Sequence, residues 1–316
     1  MIQRDLSMAP ENAAEISVVV CTRNPRPTYM QRTLGALQNQ NLPKDRWELL
    51  IVDNDSQPPI AGRFDISWHP RARVIREEKL GLTPGRLRGI REASGDLLIF
   101  VDDDNVLDAD YLEQALHVFY ERPYLGSWSG HCRAEFEAPP PEWSRRYFGN
   151  LSIRTVDRDI WSNLPRLPET MPYGAGLCIR REAARHYLDL HDGGLRRIQF
   201  DRAGKSLLSG GDNDLAACAC DIGLGVGLIA ALKLTHLIPQ ERLTVDYHVR
   251  LADGINYSSA MLDAERGINT PPRSGLGKIV DFLRTLRLKQ PHRRIAAAAY
   301  NARNRANLEL AAGRKK

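Results

Sequence analysis

Three short apolar runs constrain the fold of this chain more than any other feature. They are "ISVVVCT" at residues 16–22, "WELLIVDNDS" at 47–56 and "DLLIFVDDD" at 96–104. Each has the length of a strand, is apolar without alternation, and ends in polar or acidic residues. Continuous apolar runs of this size are expected for strands covered on both faces of a parallel sheet. "ARVIREE", residues 72–78, adds a shorter strand. The segments between them carry helix signals. "LTPGRLRGIREASG", residues 82–95, has Thr83 as the expected N-cap, Pro84 in the first turn and Gly95 as a stop. "DADYLEQALHVFYE", residues 108–121, is expected to form a helix capped by Asp108. Strands alternating with helices imply βαβ units and a mostly parallel sheet flanked by helices, an α/β fold.

Ligands of open parallel sheets bind beyond the carboxyl ends of the strands. Thr22-Arg23-Asn24, Asp53-Asn54-Asp55 and Asp102-Asp103-Asp104 should therefore share one edge. Three consecutive acids repel one another and are costly to bury. At a sheet rim a divalent cation can neutralise them, and an oxygen-rich set of this kind suits Mg²⁺ or Mn²⁺. For Asp53 a plain turn-capping role is the alternative.

The pattern loosens after residue 122. "GSWSGHCRAEF" is expected as an exposed strand, and residues 136–172, rich in proline and aromatics, as a long loop with short helices. Trp143, Tyr147, Phe148 and Trp161 could form a satellite core there or stack on a ligand. "YGAGLCIRREAARHYL" suggests strand, turn and helix, "DNDLAACACDIG" a helix, and "LGVGLIAALKLTH" a strand leading to His236. The chain of 316 residues, 42% hydrophobic and 26% charged, has globular proportions. We expect one large α/β domain over residues 1–240, in two halves at 16–122 and 123–240. A basic helical extension over 241–316 would follow.

The five cysteines lack the paired spacing of a zinc site and are expected to be free thiols in a reducing compartment. No apolar leader is visible at the N-terminus, so a cytoplasmic location is expected. The longest apolar stretch, residues 215–232, contains Asp221 and three glycines, which suits helix, turn and strand better than a membrane span. Net charge is +5, and residues 278–316 hold eleven Lys and Arg against two acids. Within them Ile279, Phe282, Leu283 and Leu286 recur at helical spacing. This face is expected to pack on the domain, with peripheral docking on an anionic cytoplasmic membrane face as the alternative. Nucleic acid is not an expected partner, because the acid cluster would repel it.

At the level of motifs the chain resembles family 2 glycosyltransferases of the GT-A fold. The resemblance runs from about Ile16 to about Ala260. It is carried by "SVVVCTRN", "ELLIVDNDS", "GLTPGRLRGIREASGDLLIFVDDDNVLDADYLE", and "GGDNDLA" with "HLIPQERLT". It implies transfer of a sugar from a nucleotide-diphosphate donor, with UDP the leading expectation, to a saccharide or lipid-linked acceptor in polysaccharide or glycoconjugate synthesis. By the same resemblance Thr22 and Arg23 would flank the base and Asp53 would accept from it. Arg86 would touch the nucleotide, Asp103 would bind ribose or diphosphate, and Asp102 would be the first acid of the family's DXD motif, in a nucleotide-binding half at 16–122 followed by an acceptor-binding half at 123–240. Asp104 would bind the metal, with His236 able to reach it. Asp212 matches the catalytic base. The family's Glu-Asp is Gly211-Asp212 here, so Asp214 stands as the alternative base. Where the family often has Arg-Asn, this chain has Arg86-Leu87.

The chemistry agrees with the residue types. A cation at the acids would stabilise charge on a departing diphosphate, and a carboxylate would take the proton of the attacking hydroxyl. One displacement inverts the anomeric centre and needs no covalent nucleophile. A sugar-nucleotide nucleotidyltransferase is the competing enzyme reading; it would want a Gly-rich basic loop where this chain has "CTRNPRP". A non-catalytic basic protein binding nucleic acid or membrane is the competing non-enzyme reading.

Overall fold

The computed structural model describes residues 14–196, 202–203, 206–268 and 275–313. Its first half is built as the apolar runs require. Strands β1 (Ile16–Thr22), β2 (Trp47–Asp53), β3 (Ala72–Arg76) and β4 (Leu97–Asp102) are mutually parallel, in the spatial order β3-β2-β1-β4. Helices α1 (Pro27–Gln38) and α2 (Leu82–Glu92) make the crossovers. The strands separate two apolar layers. One face carries Ile16, Val18, Val20, Ile51, Ile99 and Val101, and the other Val19, Leu50, Val52, Leu98 and Phe100. The lack of alternation in the sequence is thus burial on both faces. Truncating Ile51 or Ile99 to alanine would cost about 2–5 kcal/mol.

A short strand, β5 (Asn105–Leu107), follows β4, and α3 (Tyr111–Glu121) follows it. The other half of the sheet is mixed. β6 (Leu125–Phe136), β7 (Ile160–Ser162) and β8 (Leu177–Arg180) precede α4 (Arg181–Asp192). After the small pair β9 (Arg202–Ala203) and β10 (Ser206–Leu207) come α5 (Gly211–Asp221) and the 14-residue β11 (Gly225–Ile238). The sheet continues from β4 as β8-β6-β11-β5, with β7 on β11. β8 runs antiparallel to both β4 and β6, and β11 parallel to β6. β6 was expected to be exposed. It is an inner strand with Leu125 and Trp128 fully buried, and only its last turn of sequence alternates toward solvent.

Two helix starts differ from expectation. Gly81, not Thr83, holds the N-cap position of α2, because the Asn54 side chain accepts from the Gly81 N–H at 2.8 Å and donates to the Lys79 carbonyl at 2.7 Å. The end of β2 therefore fixes the entry of α2. At α3 the cap position is Asp110, while Asp108 pairs with Arg133 across the sheet.

The C-terminal part is helical: α6 (Val245–Glu265), α7 (Gly275–Leu286) and α8 (His292–Gly313). α6 and the turn before it are tied to the sheet domain through Leu243, Tyr247 and Leu251 packed with Ile238 and Leu151, and α6 to α8 through Ala260, Met261, Leu262 and Ala306. On α7 Val280, Leu283 and Leu286 are exposed, so two positions of the expected apolar face are not covered by the described residues. The side chains of Ile279 and Phe282 lie outside the described residues. Among the described residues no helix is long and apolar enough to cross a membrane. All five cysteines are free. Phe148 packs on Phe136, and Trp143 and Tyr147 surround His248 of α6, a satellite core; Trp161 lies exposed against Tyr124.

Candidate active site

Strand register assembles the rim. Thr22 pairs with Asp53 and Cys21 with Asp102, so β1, β2 and β4 end level with one another. The chain then folds back through Asp103 and Asp104 into β5, where Asn105 pairs with His236 of β11. The Leu237 N–H donates to the Asp104 carbonyl at 2.9 Å. That reversal brings an acid from residue 104 beside a histidine from residue 236. His236 Nε2 lies 3.3 Å from Asp104 Oδ2.

A cavity of about 190 Å³ opens over this rim, lined by Arg86, Asp102, Asp103, Asp104, Asp212, His236 and Arg242, with Asn150, Ser152, Gly174 and Gly210 among the others. Six of the ten sequence-predicted site residues meet here. Arg86, in α2, is buried; burial works against its charge, but Asp212 and Asp102 outweigh it and hold the guanidinium charged. Arg242 is held in the same way, against burial, by Asp104 above all. Its Nη2 lies 3.0 Å from Asp104 Oδ2 and its Nη1 3.0 Å from His236 Nε2. Asp103 accepts from the Thr22 hydroxyl. Burial, and then the neighbouring Asp104, push Asp103 up to about 7 even so.

His236 has a defined tautomer. Its Nδ1 is 3.0 Å from the Leu151 carbonyl, which can only accept, so Nδ1 donates there, while Nε2 accepts from Arg242 and Asp104 Oδ2 lies beside that contact. A backbone carbonyl holding one ring nitrogen so that the other can coordinate is the usual arrangement of a metal-binding histidine. Among the described residues no group of three or more His, Cys, Asp or Glu forms a ready-made metal cage. Magnesium-like ions seldom use one; they take one or two carboxylates and complete their shell with substrate phosphates and water. Four carboxylates and two guanidiniums line this cavity, so a divalent cation would balance the wall. On these grounds Asp104 and His236 fit such an ion.

Asp212 stands in the first turn of α5, after Gly210. Gly210 has φ of +138°, a conformation that side-chain-bearing residues rarely adopt. Asp212 Oδ2 accepts from the Gly174 N–H at 3.0 Å. A Cβ at position 174 would stand 3.0 Å from both Arg86 Nη2 and Asp212 Oδ2, so glycine allows the backbone to reach the carboxylate. Asp212 also lines a second cavity, of about 360 Å³, with Arg154, Arg166, Pro168, Met171, Tyr173, Ile255, Ser259 and Leu262. Asn150, Ser152, Ser209 and Gly210 are shared by the two.

The remaining four residues lie elsewhere. Asp214 is buried and lines neither cavity. Arg196 Nε lies 2.8 Å from its Oδ2 and Arg266 Nη2 2.8 Å from its Oδ1. Asp53 is buried behind the rim, accepting from the Ser56 and Ile60 N–H groups at 2.9 and 3.1 Å and from Arg76 at 2.8 Å. Its carboxylate shapes the loop after β2. Thr22 reaches the site through Asp103, and Arg23 is exposed beside it. Sequence reasoning missed Arg242 although "HLIPQERLT" was in view. An arginine six residues after a site histidine, just past the strand end, was the available signal. Arg154 lies in the aperiodic region and gave none; Tyr173 opens "YGAGLCIRREAARHYL" and was not singled out there.

Comparisons with known proteins bear on the family and the fold. The glycosyl transferase family 2 profile matches residues 17–187. The chain is 35% identical over 104 residues to a putative glycosyltransferase, EpsH, of Bacillus subtilis, covering 32% of this chain and 29% of that one. It is 32% identical over 104 residues to the glycosyltransferase AglE of Haloferax volcanii, covering 32% and 34%. The alignments thus span about a third of those curated relatives. Among solved structures, the mannosyltransferase PcManGT of Pyrobaculum calidifontis, in complex with GDP-Man and Mn²⁺, superposes with a TM-score of 0.54 at 20% identity, over 98% of this chain and 82% of that one. That likeness concerns the fold, which is GT-A. With the family profile matching more than half of its length, the chain belongs to glycosyl transferase family 2.

Proposed function

We propose that the protein transfers a sugar from a nucleotide-diphosphate donor to an acceptor hydroxyl with inversion, using Asp212 as general base and a divalent cation at Asp104 and His236. The observation that carries this reading is the position of Asp212 on the wall common to two cavities. One is lined with acids and arginines and suits a nucleotide diphosphate; the other is roomier and partly apolar and suits an acceptor.

Arg86 and Arg242 face the smaller cavity as fixed cations, positioned to hold diphosphate oxygens. Arg242 now spans Asp104 and His236, so donor entry would exchange these contacts for phosphate contacts. A cation held there would supply Lewis-acid stabilisation of charge on the leaving diphosphate. Asp212, its rotation fixed by Gly174, would take the proton from a hydroxyl presented by the larger cavity. Such general-base help is typically worth about 10²–10⁴-fold. With a single base and direct attack, the anomeric centre inverts. Thr22 and Asp103 would hold the nucleotide side of the pocket, with Arg23 and Asp53 beside it.

The donor nucleotide is proposed as uridine, with guanosine as the comparison, since the Pyrobaculum mannosyltransferase was solved with GDP-Man and Mn²⁺. Nucleoside-diphosphate release from UDP- and GDP-sugars, with Mn²⁺ and with chelator, tests the reading. Metal-dependent release that disappears in Asp104→Asn supports it. Equal release in wild type and variant, or none with any donor, contradicts it.

A further inference from the structure

The larger cavity has a charge arrangement of its own. Arg154 and Arg166 are its basic residues and Asp212 its acid. Arg166 is neutralised: its Nε lies 2.7 Å from Asp263 Oδ1, and its Nη2 donates to Ser259 Oγ at 2.7 Å. Arg154 differs. Among the described residues no carboxylate lies within 4.0 Å of it. Its Nη1 donates to the Met171 carbonyl at 2.8 Å, and its guanidinium carbon sits 3.7 Å from the centre of the Tyr173 ring. Stacking on an aromatic face and a bond to a carbonyl fix the guanidinium plane but leave its charge unneutralised. Pro168, Met171, Ile255 and Leu262 give the wall an apolar part beside the polar Asn150, Ser152, Ser209, Asn213 and Ser259, and in such a recess a charge interaction is stronger than in open water.

We propose that the acceptor carries an anionic group, carboxylate or phosphate, seated on Arg154 while its nucleophilic hydroxyl faces Asp212. The inference rests on the assignment of Asp212 as base and names the acceptor class for that site. A neutral acceptor would cover a partly buried cation without pairing it, which is unfavourable. An anionic acceptor gains a charge-assisted bond to a guanidinium whose orientation is already set, so little ordering is lost on binding. Arg154 would thereby fix which hydroxyl reaches the base, acting as a specificity residue.

The test is equilibrium binding of matched saccharide pairs to the full chain with Mn²⁺ and nucleoside diphosphate present. The pairs are p-nitrophenyl glucuronide against glucoside, galacturonide against galactoside, and glucose 6-phosphate against glucose. The first two report a carboxylate source and the third a phosphate source. At least one charged member should bind about 10-fold to 100-fold more tightly than its neutral match, the span of one charge-assisted hydrogen bond. Arg154→Gln should reduce that ratio to near one, and Arg154→Lys should keep part of it. Indifference to charge in every wild-type pair overturns the inference, whether or not the variant folds. So does a preference that survives Arg154→Gln. Nucleoside-diphosphate binding to the wild-type chain is measured separately, so failure of the donor-site reading is distinguishable from failure of the charge preference.

Discussion

Asp212 and Asp214 share the first turn of α5, yet their surroundings differ. Asp212 accepts from Gly174 and faces two cavities, and the N-cap position belongs to Gly210. Asp212→Asn should therefore keep its melting temperature within a few degrees while turnover falls about 10²–10⁴-fold. Asp214 is enclosed by Arg196 and Arg266. Removing one partner of such a buried pair strands the others, and Asp214→Asn should cost about 3–5 kcal/mol in urea unfolding. A variant at 214 that folds normally but is inactive, beside an active Asp212→Asn, would reverse the two roles. Gly174→Ala is the companion case. The added methyl meets Arg86 and Asp212 rather than backbone, so turnover should drop about tenfold or more with a small change in stability. Wild-type turnover in this variant would show that Asp212 tolerates displacement.

The loop between β2 and β3 carries a pH dependence of its own. His69 is buried against Trp47, with ring centres 4.1 Å apart, and its Nδ1 accepts from the Arg71 N–H at 3.1 Å. Burial, joined by the charges of Lys44 and Arg71, pushes His69 down to about 4 from 6.5. The unfolded chain then binds the proton more readily than the folded one between these values. This contribution to stability is complete above about pH 6.5 and is lost as pH falls toward 4. Unfolding midpoints at pH 7.5 and pH 5 should differ less for His69→Gln, which keeps an acceptor but does not titrate, than for wild type. Identical pH slopes would remove His69 from the account. The same elements show what was legible in the sequence. β1, β2 and β4 could be read because burial on both faces leaves unbroken apolar runs, and the rim acids because they interrupt those runs at one edge. Arg86 and His236 were reached through motif resemblance. β6 was misread because its polar residues Ser127 and Ser129 are buried, Ser127 donating to the Ala216 carbonyl. A composition reading takes such residues for a surface. Arg242 is brought to the site by β11's register and Arg154 by aperiodic chain, and long-range register leaves no local periodicity to detect.

At the scale of the whole molecule, the parallel half of the sheet supplies the acid rim, β5 and β11 fold a histidine and an arginine over it, and α5 and α6 close the larger cavity. Proposed to bind a nucleotide diphosphate through a divalent cation at Asp104, this assembly stands or falls on that binding. The most direct measurement is calorimetric titration of UDP and GDP into the wild-type chain and Asp104→Asn, with Mn²⁺ and with chelator. Mn²⁺ should tighten binding of at least one nucleotide about tenfold or more in wild type, and Asp104→Asn should lose this gain. Failure of both nucleotides to bind in the presence of Mn²⁺, or a gain from Mn²⁺ that persists unchanged in Asp104→Asn, would contradict the proposal.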